Sequence, residues 1–171
     1  MKVSVLTVSD RSSRGEREDK SGPLLKDLVQ AQGWELVDYQ IVSDQQSEIE
    51  DVLRDWADAG DVNLILTTGG TGFSPRDQVP EATMNVVDRV APGIAEAMRS
   101  ASLKITPHAM LSRAVAGIRG HALIVNLPGS PKAAKENFKI ILPALPHAVQ
   151  LISNDPGAEA GHYPGPSIRQ I

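Results

Sequence analysis

Three runs of this chain are apolar almost without interruption: VSVLTV at 3–8, VNLILT at 62–67 and ALIVNL at 122–127. A strand with one face in water alternates apolar and polar residues. A strand that stays apolar needs cover on both faces, as in a parallel sheet with helices above and below. The run LVDYQIV at 36–42 is equally rich in β-branched and aliphatic residues but interleaves Asp38 and Gln40. Four strands are expected here, and the first, third and fourth of them set the fold class.

The segments between them carry helical spacing. Pro23 is placed to open a first helix, Leu24, Leu25, Leu28 and Val29 line one face of it, and Gly33 is placed to end it. Ser47-Glu48-Ile49-Glu50 has the form of a capping box, followed by Val52, Leu53 and Trp56 at helical intervals. A third helical region is predicted from about 80 to 104 with a break at Ala91-Pro92-Gly93, and a fourth from 131 to 152 broken near Pro143 and Pro146. Strand and helix alternate, which predicts a three-layer α/β/α domain around a mostly parallel, doubly wound, Rossmann-like sheet. One domain over residues 1–153 accounts for the pattern. Residues 154–171, NDPGAEAGHYPGPSIRQI, hold little apolar content and are expected to form a mobile tail.

Composition narrows the function. The net charge is −4 with both signs mixed along the chain, which argues against a nucleic-acid surface. The absence of cysteine excludes disulfides and thiolate metal sites. His108, His121, His147 and His162 show no metal-ligand spacing and read as ordinary surface or packing residues. The first eleven residues lack the form of a signal peptide, and no run reaches the roughly 20 apolar residues of a membrane span. A cytoplasmic protein without membrane or nucleic-acid partners is expected.

The chemistry collects where the strands end. Ser9-Asp10-Arg11 follows the first run and Ser43-Asp44 the second. Thr68-Gly69-Gly70-Thr71-Gly72 follows the third, and Pro128-Gly129-Ser130-Pro131-Lys132 the fourth. In open α/β sheets ligands bind at this edge. Glycines let backbone N–H groups surround an anion, and a following helix adds its positive end. A carboxylate such as Asp77 is badly placed beside phosphates unless a cation bridges the two. Mg²⁺ does so through one or two carboxylates and phosphate oxygens, and Asp44 is the natural second ligand. Each loop also has a plainer reading. GGTG serves as a tight turn with Asp77 as a helix cap, Ser9-Asp10 as a local cap, Ser112-Arg113 as surface, and PGSPK as a turn into the last helix.

The runs TVSDRSSRGEREDKSGP, TTGGTGFSPRD with PEAT after it, MLSRAVAGIRG, LIVNLPGSPKAAKENF and ILPALPHAV resemble the molybdopterin adenylyltransferase family over about residues 1–153. That family includes Mog-type enzymes and the G domains of gephyrin and of plant molybdenum-insertion proteins. The resemblance implies a molybdopterin-binding fold. It also implies Mg²⁺-dependent transfer of AMP from ATP to the terminal phosphate of molybdopterin, giving adenylyl-molybdopterin and pyrophosphate. By motif, Asp44 and Asp77 are the implied catalytic and metal-holding pair. Gly69, Gly70, Thr71 and Gly72 match the phosphate-cradling loop, and Ser9 and Asp10 the pair after the first strand. Glu81, Ser112, Arg113, Asn126, Pro128, Gly129 and Ser130 match further substrate- or nucleotide-binding motifs. A homotrimer and a separate molybdenum-insertion protein downstream are also implied. The alternative is a non-catalytic molybdopterin-binding or scaffolding paralogue, and an intact Asp44 and Asp77 favour the enzyme. A nicotinamide-dependent oxidoreductase would want a G-x-G-x-x-G turn after the first strand, which is missing.

Overall fold

A computed structural model describes residues 1–154 and Ala158. Six strands form one sheet: β1 (Lys2–Val8), β2 (Glu35–Val42), β3 (Leu64–Thr68), β4 (Arg89–Val90), β5 (Ala116–Arg119) and β6 (Ala122–Leu127). Their order is β2-β1-β3-β6-β5-β4. The first four in that order run parallel, while β5 is antiparallel to both β6 and β4. The chain's helices are α1 (Asp10–Ser13), α2 (Ser21–Gln30), α3 (Gln46–Asp58), α4 (Val79–Val86), α5 (Pro92–Leu103), α6 (Pro131–Ile141) and α7 (Leu145–Ile152), with a 3₁₀ turn at Pro107–Leu111.

The sheet sits between two helical layers. On one face Val3, Val5, Leu64, Leu66, Leu123 and Val125 pack against α2, α5, α6 and α7 through Leu25, Val29, Met98 and Phe138. On the other, Leu6, Val8, Ile65 and Ile124 pack against α3 and α4 through Ile49, Leu53, Trp56, Val79 and Val86. The uninterrupted apolar runs are therefore the central strands β1, β3 and β6, buried on both faces. The alternating run is β2, at the sheet edge and half-exposed along its length. The three-layer α/β/α expectation is borne out.

Several local expectations are corrected. The third strand begins at Leu64 rather than Val62, and β4 and β5 were not anticipated. Both are too short to show a period, and β4 lies just ahead of the break expected at Ala91-Pro92-Gly93, in a stretch read as helical. Gly117 lets β5 approach closely, since a Cβ there would lie 2.7 Å from Val87 Cγ1 and 2.9 Å from the Arg89 carbonyl oxygen. The first long helix starts at Ser21, two residues before Pro23, because the Asp19 carboxylate accepts from the Ser21 and Gly22 amides. The capping box at Ser47–Glu50 is not made. Glu50 instead accepts from Gln46, Arg54 and Asn85, while Glu48 accepts from Ser43. Of the expected tail, all but Asn154 and Ala158 lies outside the described residues.

Candidate functional site

The strand order reverses at β1. From β1 the chain crosses through α2 on one face to β2, whereas from β3 it leaves through α4 on the other. The loops after β1 and β3 diverge, and a crevice opens at the carboxyl ends of these neighbouring strands. The loops after β2 and β6 flank it.

On the β1–β2 side two acidic residues brace each other. The Asp10 amide donates to Asp44 Oδ2 at 3.0 Å, and the Asp44 amide donates to Asp10 Oδ1 at 3.0 Å. Asp10 Oδ2 also pairs with the guanidinium of Arg76, which reaches across from the loop after β3. Ser9 caps α1 by accepting from the Ser12 amide at 3.3 Å. Burial raises the Asp44 pKa above its ordinary value, and the nearby carboxylates of Asp10 and Asp77 raise it further, against lowering by the Asp10 amide and Arg76. Asp77 accepts from the Ser74 amide through Oδ2 at 2.8 Å. Each of the two expected metal ligands thus spends one carboxylate oxygen on a backbone amide, Asp44 on that of Asp10 and Asp77 on that of Ser74.

The glycine loop forms the central wall. Gly69 and Gly70 have φ values of 101° and 59°. A Cβ on Gly69 would lie 2.3 Å from the Val8 carbonyl oxygen, and one on Gly70 would lie 2.7 Å from Val79 Cγ2. The loop makes the tight turn, and the conformation that only glycine tolerates here is also one that bares amides. Among the described residues the Gly70, Thr71 and Gly72 amides find no acceptor within the chain. A second loop presses against the first: Gly129 is close enough that its Cβ would lie 3.1 Å from Gly69 Cα, and Thr68 Oγ1 donates to the Pro128 carbonyl at 2.8 Å.

This wall separates two hollows of different character. A polar cleft of ≈ 500 Å³ is lined by Ser9, Asp44, Gly69, Gly70, Gly129 and Ser130, together with Ser12, Arg17, Asp19 and Ser21. Behind it, a cavity of ≈ 310 Å³ between α5, the 3₁₀ turn and α6 is walled largely by Ala95, Met98, Ile105, Leu111 and Ala114. It shares Thr71, Gly72 and Pro128 with the loops, and Ser112 and Asn126 reach its edge. Asp77, Glu81 and Arg113 line a shallow third hollow below the exposed Phe73.

Three of the expected binding residues, Glu81, Arg113 and Asn126, are engaged inside the protein. The Arg113 guanidinium donates to the Gly72 carbonyl at 2.7 Å, to the Asp77 carbonyl and to Glu81, while its amide donates to the Thr71 carbonyl at 2.9 Å. Arg113 is a clamp on the glycine loop, and Glu81 is its counter-ion. Asn126 is fully buried. It donates to Thr67 Oγ1 at 3.1 Å and Thr83 Oγ1 at 2.9 Å and accepts from the Val115 amide at 3.2 Å. All three make these hydrogen bonds to groups of the protein itself.

Asp19 also lines the polar cleft, although the motifs do not single it out. Its carboxylate accepts from Thr7 Oγ1 and Tyr39 Oη at 2.6 Å each, and from Ser21 and Gly22. Burial opposes its charge, but these hydrogen bonds outweigh that and lower its pKa below the ordinary value. A signal for it exists in EDKSGP, directly ahead of the first long helix. Arg99, which donates to the Ala114 carbonyl at 2.7 Å beside the apolar cavity, carries no such signal.

Comparison with known proteins gives a consistent result. The family model described as "Probable molybdopterin binding domain" matches residues 4–147. A molybdopterin adenylyltransferase from Helicobacter pylori strain J99 is 43% identical over 152 residues, covering 88% of this chain and 86% of that protein. Gephyrin from Dictyostelium discoideum is 45% identical over 164 residues, but the match spans only 23% of its length. The crystal structure of the molybdopterin biosynthesis enzyme MoaB from Thermus thermophilus superposes with a TM-score of 0.85 at 49% identity, covering 91% of this chain and 98% of that one.

Proposed function

This chain belongs to the molybdopterin-binding domain family, and on that premise we propose that it acts in molybdenum cofactor biosynthesis as an adenylyltransferase. It transfers AMP from ATP to the terminal phosphate of molybdopterin. The observation that carries this reading is the division of the site by one glycine wall. A polar cleft rich in hydroxyls and bare amides suits a polyphosphate, and an apolar cavity suits a flat ring system. Substrates held on either side of this wall would have their reacting phosphates close together. The name of the Helicobacter pylori relative supports the same reaction.

In the reaction a phosphate oxygen of the pterin's monoester forms a bond to Pα of ATP. The bond from Pα to the oxygen bridging Pβ breaks, and its electron pair leaves with pyrophosphate. Catalysis of this kind rests on positioning and charge neutralisation rather than on a covalent nucleophile. The amides of Gly70, Thr71 and Gly72 orient the phosphates, Ser112 donates to the pterin or its phosphate, and Arg113 holds the loop rigid. Asp44 and Asp77 are the residues that would hold Mg²⁺, an ion that binds through one or two carboxylates. Burial and two neighbouring carboxylates oppose the charge of Asp44, which a cation would relieve. When bound, the ion neutralises charge on the phosphates.

A homotrimer in the cytoplasm, with a separate protein inserting molybdenum downstream, completes the proposal; these three points rest on family resemblance alone. Among the described residues no helix is long and apolar enough to cross a membrane. The test is release of pyrophosphate from purified protein. Release should require ATP, Mg²⁺ and molybdopterin together; release that ignores molybdopterin, or none under any condition, contradicts the proposal.

A further inference from the structure

The polar cleft has a charge problem. Asp19 and Asp44 line it, so a triphosphate entering it meets two carboxylates and needs a cation. Most candidate arginines nearby are already paired: Arg76 with Asp10, Arg113 with Glu81, and Arg14 with Glu16. Arg17 differs. It lines the cleft, its side chain is exposed, and among the described residues it forms no ion pair. Its neighbour Glu16 does not compete for it, because both Glu16 carboxylate oxygens accept from Arg14, at 2.7 and 3.0 Å.

The loop carrying Arg17 is held by its own backbone. The Glu16 and Arg17 amides donate to the Arg11 carbonyl at 2.8 and 3.2 Å, and the Gly15 amide donates to the Ser12 carbonyl at 3.1 Å with φ of 71° at Gly15. The turn therefore anchors the root of Arg17 at the cleft and leaves its guanidinium without a partner among the described residues. A guanidinium binds phosphate oxygens through two parallel N–H bonds, a geometry an ammonium cannot supply. We propose that Arg17 binds the β- and γ-phosphates of ATP and the pyrophosphate that departs, balancing charge that develops on the leaving group. This inference rests on the adenylyltransferase reading and adds to it the residue that receives the leaving group.

Calorimetric titration of the full chain with Mg²⁺-pyrophosphate, and separately with AMP, tests the assignment. Arg17→Ala should weaken pyrophosphate binding about tenfold or more, the scale of a charged hydrogen-bonded contact, and leave AMP binding within about twofold. Arg17→Lys should recover only part of the loss, and Arg89→Ala, which removes an exposed cation on β4 at the far edge of the sheet, should bind both ligands as the unmodified chain does. Pyrophosphate affinity unchanged in Arg17→Ala overturns the proposal. So does an equal loss of pyrophosphate and AMP, which would mean that Arg17 shapes the loop. Failure of the underlying reading shows differently: the unmodified chain would bind pyrophosphate with Arg17-dependent affinity yet release none from ATP and molybdopterin.

Discussion

Asp10 and Asp44, 34 positions apart, are joined by two reciprocal hydrogen bonds of 3.0 Å, each backbone amide donating to the other's carboxylate. The ends of β1 and β2 are locked by the same groups that put negative charge into the crevice. Replacing Asp44 therefore has two separable consequences. Asp44→Asn keeps an oxygen for the Asp10 amide and should leave the thermal unfolding midpoint nearly unchanged. Asp44→Ala strands that partly buried amide and should cost about 1–3 kcal/mol. If the two variants unfold alike by chemical denaturation, the brace has no structural weight.

The glycines of the wall are not equivalent. Gly69 combines φ of 101° with a Cβ position 2.3 Å from a backbone oxygen, which cannot move without moving β1. At Gly70, φ is 59° and the obstacle is a side-chain methyl of Val79; at Gly129 the contact is a milder 3.1 Å and φ is not positive. Alanine at these positions should destabilise in the order Gly69, Gly70, Gly129, the first by more than the roughly 1–3 kcal/mol of backbone strain alone. Denaturant midpoints give the ranking, and a Gly129→Ala variant less stable than Gly69→Ala would refute it.

Arg113 and Asn126 also mark how much the sequence could reveal. The buried strands were legible because apolar cover on both faces leaves a continuous run, and the crevice was legible because four polar loops follow four strands. The direction a polar side chain faces was not legible. Arg113 and Asn126 stand in motifs shared with the family, yet their hydrogen bonds run inward to Gly72, Asp77, Thr67 and Thr83. Such partners are set by tertiary packing between segments tens of residues apart. The short strands β4 and β5 escaped for a related reason: pairing with β6 and with each other, rather than any local period, makes them strands.

Arg113→Lys should separate positioning from contact. An ammonium cannot reach Gly72, Asp77 and Glu81 at once, so the loop should loosen while the net charge is kept. The expected result is a several-fold rise in KM for ATP with a small loss of stability. A variant kinetically identical to the unmodified chain would show that the clamp is dispensable.

Asp19 gives the fold a pH dependence with a definite sign. Its pKa is depressed in the folded chain, so its contribution to stability is complete above the ordinary carboxyl value of 3.8 and is lost as the pH falls through the lower, folded value. The advantage of the unmodified chain over Asp19→Asn in Tm should therefore be constant above about pH 5 and shrink below about pH 4. A Tm difference independent of pH down to about pH 3 would mean that the Asp19 hydrogen bonds do not depend on its charge.

The most direct measurement of the central claim follows the fate of phosphorus. The protein is incubated with Mg²⁺, molybdopterin and ATP labelled at either the α- or the γ-position, and the products are separated. The account predicts α-label on the pterin and γ-label only in pyrophosphate. In Asp44→Asn and Asp77→Asn, transfer should fall by orders of magnitude while pterin binding, followed by its fluorescence, stays nearly intact. The double variant should be little worse than the poorer single one, since both carboxylates serve one ion. Label that stays in ATP or appears as free AMP, with none on the pterin, would contradict the account.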